Sequence, residues 1–123
     1  MARILIVDDN EDNRLTMAKL LELGGHDVAV AGDGDQALRS QKNSPFDILI
    51  TDIFMPDKDG VETIREFHQK YPQTRIIAMS GGGSFTVDYL SLSLEIGADK
   101  VLKKPFSAED LERSVAEVLQ GPR

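Results

Sequence analysis

The sequence predicts an α/β domain in which a parallel β-sheet carries helices on both faces. Three observations support this. Five short apolar runs recur along the chain, too continuous in their apolar character for strands that show one face to water. Between them lie stretches with helical spacing of apolar residues. Glycine, proline and cap-type residues mark nearly every junction. Strand and helix therefore alternate, and that alternation implies right-handed βαβ crossovers.

Taken in order, Ile4-Leu5-Ile6-Val7 is the first strand, and it runs into Asp8-Asp9. Asn10-Glu11-Asp12-Asn13 supplies the cap-type and acidic residues that a helix start prefers. Leu15, Ala18 and Leu21, with Met17 and Leu20, form the apolar side of that helix, which Gly24-Gly25 stops. Asp27–Ala31 is a weaker strand, and a short helix through Ala37-Leu38 follows it, broken near Ser44-Pro45. The central strand, Asp47 to Thr51, delivers Asp52 to its end. Val61, Ile64 and Phe67-His68 mark the third helix, ended by Tyr71-Pro72. Arg75–Ser80 is the fourth strand, followed by Gly81-Gly82-Gly83-Ser84 and a helix from about Thr86 to Ile96 that Gly97 closes. Lys100–Lys103 is a short fifth strand. Ser107 caps the last helix, with Asp110 at the capping-box position. Leu111, Val115, Val118 and Leu119 form its core-facing stripe. For five strands the flavodoxin-like order 2-1-3-4-5 is expected, and its switch point sets Asp8-Asp9 beside Asp52.

Composition narrows the function classes. At 123 residues the chain reads as one domain, residues 1–123, large enough for a hydrophobic core of its own. It has no cysteine, which excludes disulfides and thiolate metal sites. No apolar run approaches the roughly 20 residues that span a bilayer, and the first strand leaves no room for a signal peptide. A soluble, cytoplasmic protein with no membrane contact is expected. The net charge of −7 argues against direct nucleic-acid binding by this domain.

Asp8, Asp9 and Asp52 meet at one sheet edge. One acid in a loop would say little, since aspartate is common there. Three repel one another unless a cation binds, and Mg²⁺ accepts a few carboxylates while keeping other positions for water or phosphate oxygens. Ser80 ends the fourth strand with a hydroxyl, and Lys104 follows the fifth with an ammonium. A nucleophilic carboxylate, a metal site, a hydroxyl and an ammonium suit a tetrahedral dianion, with Asp52 forming an aspartyl phosphate.

The motifs Val7-Asp8-Asp9, Asp52-Ile53-Phe54-Met55-Pro56 with Asp59-Gly60, Met79-Ser80-Gly81 and Lys104-Pro105-Phe106 resemble those of the receiver domain of two-component response regulators, from Ile4 to about Leu119. The resemblance implies a signalling phosphoacceptor rather than a turnover enzyme. Asp52 corresponds to the phosphoacceptor, Ser80 to the switch hydroxyl and Lys104 to the phosphate-binding lysine. Asp9 corresponds to a direct Mg²⁺ ligand, with Asp8 helping directly or through water. Asp52 and the backbone carbonyl of Phe54 complete the metal set. The resemblance also implies a cis Lys104-Pro105 bond and a donor that is a sensor histidine kinase or a histidine phosphotransfer protein. The donor should face the helix that begins near Glu11.

Output is expected through the face of the fourth helix, fifth strand and fifth helix, toward a downstream partner or a second copy in a homodimer. Family register favours Tyr89, Leu92 and Ile96 as the buried stripe of the fourth helix, with Leu90 and Leu94 outward near Val101. Two departures stand out. Val101 occupies a position where the family often has an aromatic residue. The Ser80–Lys104 interval is also longer than usual, the extra length falling in Gly81-Gly82-Gly83. His26 and His68 lack partners at metal spacing and read as surface residues. An aspartate-nucleophile phosphatase would need Asp-x-Asp where this chain has Asp52-Ile53-Phe54. A degenerate receiver acting only as a binding module would lack some of these residues, and all are present.

Overall fold

The computed structural model describes residues 2–53, 60–80 and 86–121, with the backbone alone for 86–90. Ten elements alternate along the chain: β1 (Arg3–Val7), α1 (Glu11–Leu23), β2 (Asp27–Ala31), α2 (Gly34–Asn43), β3 (Ile48–Asp52), α3 (Gly60–Lys70), β4 (Arg75–Ser80), α4 (Thr86–Ile96), β5 (Lys100–Lys103) and α5 (Ala108–Gln120). The strands form one parallel sheet in the order β2-β1-β3-β4-β5. This is the flavodoxin-like order that the alternation predicts.

Because side chains alternate across a strand, the sheet sorts its apolar residues onto two faces. Ile4, Ile6, Ile48, Ile50, Ile77, Met79 and Leu102 meet Met17, Ala18 and Leu21 of α1 and Leu111, Val115 and Val118 of α5. Leu5, Val7, Leu49, Ile76 and Ala78 meet Ala37 of α2, Ile64 and Phe67 of α3, and Ala98 beyond α4. Strands with both faces covered in this way are uniformly apolar. The central strand β3 is buried along its whole length.

Local chemistry sets the element ends. Asn10 caps α1 by accepting the Asn13 N–H, Asp33 caps α2 through Gln36, and Ser107 with Asp110 forms a complete capping box on α5. Gly97 ends α4 at φ +136°, where a side chain would also strike the His68 ring. At the edge of the sheet opposite the strand ends, Asp47 lies before β3 rather than in it, and its carboxylate accepts the Arg3 N–H at 2.8 Å. The buried Gln41 knits three elements there. Its Oε1 accepts the Phe46 N–H, and its Nε2 donates to Thr74 Oγ1, which donates to the Phe46 carbonyl.

Besides Asp47, three expectations need correction. Leu15 does not face the core; it is 51% exposed, and Met17, Ala18 and Leu21 carry the buried side of α1. Leu92 is exposed, whereas the neighbouring Ser93 is fully buried and Ile96 packs partly against the core. The inward face of α4 is thus centred on Ser93, about 100° around the helix from Leu92. His26 is mostly buried: its Nδ1 accepts the Ala2 N–H, and its Nε2 lies 3.7 Å from Glu112. Leu94 is exposed, as expected, and Val101 is half-buried. The side chains of Val87, Tyr89 and Leu90, and the stretch Gly81-Gly82-Gly83, lie outside the described residues.

Gln41→Met should destabilise the domain by about 1–3 kcal/mol, because a side chain of similar volume would leave the buried Phe46 N–H without its acceptor. Urea unfolding checks this, the expected result being a lower midpoint at unchanged slope.

Candidate functional site

The strand alternation that builds the core also builds the site. Ile4, Ile6 and Asp8 are successive alternate residues, as are Ile48, Ile50 and Asp52, and Leu102 and Lys104. Ile6 pairs with Ile50 in the β1–β3 register, so the next alternate residues, Asp8 and Asp52, leave the sheet side by side. The apolar layer ends there and the acids begin. Asp8 is 1% and Asp52 8% exposed, while Asp9 is open to solvent.

Asp8, Asp9 and Asp52 each bring one carboxylate oxygen within 4.8 Å of the others. Lys104 Nζ lies between two of them, 2.8 Å from Asp52 Oδ2 and 3.1 Å from Asp8 Oδ2. Asp8 Oδ1 in turn accepts the Asn10 N–H at 2.9 Å. Burial on its own would push the Lys104 ammonium down. Its hydrogen bonds and charge interactions with Asp52, and then Asp8, outweigh that and hold its pKa above the ordinary lysine value. The stabilisation from this pairing is fully present below the ordinary lysine range and is lost as pH rises through the elevated value.

Neighbouring elements fix this arrangement. Ile53 N–H donates to the Met79 carbonyl, and Lys104 N–H donates to the Ser80 carbonyl at 2.7 Å, tying the ends of β3, β4 and β5 together. Ser80 is fully buried and follows Met79, the register partner of Asp52. The Lys104-Pro105 bond is cis. Lys103 is exposed and takes no part in the Asp8–Asp52 cluster. Phe54, whose carbonyl completes the expected ligand set, lies outside the described residues. Thus Asp8, Asp9, Asp52 and Lys104 come together, with Ser80 at the adjoining strand end. Beside Lys104 a groove of about 420 Å³ opens between α1 and the β5–α5 connection, lined by Asn13, Met17, Leu20, Pro105 and Phe106 among others.

One contributor carried no signal in the motifs. Arg14 Nη1 donates to the Asp8 carbonyl at 3.1 Å. Gly60, which the motifs do include, matters for its missing side chain. Its N–H donates to the Ile53 carbonyl at 2.8 Å, and a Cβ there would overlap the Asp52 carbonyl oxygen. The start of α3 therefore packs directly on the main chain that carries Asp52.

The donor set fits a small, hard divalent cation. All three groups offer oxygen, and three carboxylates against one ammonium leave the cluster formally negative.

Comparison with known proteins agrees with this geometry. Residues 4–116 match the family model of the response regulator receiver domain. The chain is 38% identical over 120 residues to the transcriptional regulatory protein CpxR of Escherichia coli, covering 98% of this chain but 50% of CpxR. It is 34% identical to the response regulator receiver protein CpdR of Brucella abortus, covering 97% of this chain and 98% of that protein. The crystal structure of the receiver domain of NtrX from Brucella abortus superposes with a TM-score of 0.91 at 27% identity, covering 97% of this chain and 99% of that one.

Gly60→Ala should destabilise the fold by about 1–3 kcal/mol, since backbone must yield to the new methyl. It should also shrink any rise in melting temperature on adding Mg²⁺, because the Asp52 main chain is what moves. Gly121→Ala, whose Cβ meets nothing closer than 3.7 Å, is the comparison and should leave both quantities unchanged. Thermal denaturation with and without Mg²⁺ reads both.

Proposed function

The chain belongs to the response regulator receiver family, and from that premise we propose that Asp52 accepts a phosphoryl group from a phosphohistidine. The donor is a sensor histidine kinase or a histidine phosphotransfer protein, and residues 1–123 form a single receiver domain. The observation that carries the reading is the convergence of Asp8, Asp9, Asp52 and Lys104 at one sheet edge.

A carboxylate oxygen of Asp52 attacks phosphorus, the new O–P bond forms, and the P–N bond to the donor imidazole breaks. The electron pair of that bond returns to the ring nitrogen, and the donor leaves as neutral histidine with a proton already on its other ring nitrogen or one taken from water. Lys104 meets one phosphoryl oxygen with its ammonium, and Ser80 donates its hydroxyl to another. Asp9, Asp52 and the Phe54 carbonyl would hold Mg²⁺. Asp8, whose two oxygens accept from Asn10 and Lys104, would help hold it directly or through water. When bound, the cation supplies positive charge opposite the developing negative charge of the transferring group.

The donor docks on α1 and the β5–α5 groove, an apolar surface that reaches Lys104. Output leaves by the face of α4, β5 and α5 toward a downstream partner or a second copy; on α4, Leu94 is exposed. The net charge of −7 disfavours nucleic acid as a direct ligand of this domain. Among the described residues no helix is long and apolar enough to cross a membrane. The chain spans about half the length of the CpxR relatives it matches, and the activity of a longer regulator would rest on what accompanies the receiver.

Incubation with a small phosphodonor and Mg²⁺ should add one phosphoryl mass to the intact protein. Asp52→Ala or excess chelator should abolish it. Equal labelling of Asp52→Ala would defeat the assignment.

A further inference from the structure

Arg14 is a charged side chain bonded to the main chain of the cluster that the phosphoryl-transfer scheme leaves without a task. Electrostatics counts against it twice. It sits in the first turns of α1, after Asn10, Glu11, Asp12 and Asn13, where the helix dipole disfavours a cation. It also lies beside the three carboxylates proposed to collect a divalent cation, whose binding a nearby positive charge opposes.

Its geometry points to a mechanical role. The Arg14 N–H donates to the Asn10 carbonyl at 3.1 Å, and the side chain reaches back so that Nη1 donates to the Asp8 carbonyl at the same distance. The half-buried guanidinium therefore spans the Asp8-Asp9-Asn10 turn. The same Nη1 lies near the β2–α2 turn, 3.7 Å from where a Cβ on Gly32 would sit. Gln36 Oε1 accepts the Gly32 N–H at 3.0 Å and steadies that turn. The Asp8 N–H makes a long bond, 3.3 Å, to the Ala31 carbonyl, so the strand ladder is loosening at this residue.

We propose that Arg14 is a positioning residue for the divalent-cation site, pinning the main chain at Asp8 so that the Asp8 and Asp9 carboxylates stay aimed at the cation. The inference rests on the proposed Mg²⁺ site and adds that a cationic side chain strengthens cation binding there. Bonds to the groups that orient metal ligands typically set affinity by about 10–100-fold.

The sign of the effect makes the test decisive. Mg²⁺ alone is titrated by calorimetry into the wild type, Arg14→Met, Arg14→Lys and Lys19→Met, and phosphorylation is not measured. Arg14→Met keeps the stem and removes donor and charge. Arg14→Lys keeps the charge and a single donor. Lys19→Met removes one exposed positive charge from the same helix without touching Asp8. Positioning predicts that Arg14→Met raises the Mg²⁺ Kd about tenfold, that Arg14→Lys raises it by less, and that Lys19→Met leaves it unchanged or slightly lower. An unchanged or lowered Kd for Arg14→Met overturns the assignment. Should that variant fail to fold, Arg14→Lys carries the test: a raised Kd supports the assignment and an unchanged one overturns it. A wild type that does not bind Mg²⁺ would instead overturn the cation site on which the inference depends.

Discussion

The structure depends on an electrostatic conflict that the fold creates and does not fully resolve. Two strands buried on both faces deliver Asp8 and Asp52 to adjacent places where the core ends, and Asp9 adds a third carboxylate. Lys104 is held between Asp8 and Asp52 and neutralises one charge of the three. Taking Lys104 away would leave two largely buried carboxylates without their shared ammonium, which is strongly destabilising. The remaining negative charge is what a divalent cation would answer. The ammonium that meets the carboxylates in the free protein is also the group proposed to meet a phosphoryl oxygen.

Much of the scaffold serves to hold those few atoms. Ile53 to Met79 and Lys104 to Ser80 are backbone bonds beyond the regular ladders, and they fix the ends of three strands relative to one another. Gly60 lets α3 sit on the Asp52 main chain. The opposite edge of the sheet is secured separately, by Gln41 and Thr74 and by the Asp47 and Asp99 carboxylates that accept the N–H groups of Arg3 and Ile76. Rigidity at both edges suits a site whose function is proposed to require atoms placed to within a fraction of an ångström.

The parts of the fold legible in the sequence are those where one signal dominates. Runs such as Ile48-Leu49-Ile50 can be only strand or buried helix, and their length decides. Ser107 with Asp110 announces a capping box that the structure contains. The meeting of Asp8, Asp52 and Lys104 was legible because each stands one alternate position beyond a core residue of its strand, Ile6, Ile50 and Leu102. Leu15 was misplaced because hydrophobicity ranks residues by type, whereas a helix face is set by angle; Leu92 was misplaced because the family register set the inward face of α4 about 100° from where it lies. Ser93, small and polar, occupies the centre of the α4 face, where close packing against the sheet favours it over leucine. His26 was taken for a surface residue because its partners, the Ala2 N–H and Glu112, are distant in sequence. Arg14 gave no motif at all, since its bond is to a main-chain carbonyl, which any residue supplies.

The central claim is that one carboxylate, Asp52, becomes the acyl phosphate. Borohydride reduction converts an aspartyl phosphate to homoserine, and peptide mapping by mass spectrometry then locates it. Treatment with a phosphodonor and Mg²⁺ should place homoserine at residue 52 and nowhere else, and chelation should remove it. Homoserine at residue 8 or 9, or none at residue 52 in protein shown to carry the phosphoryl mass, would contradict the account.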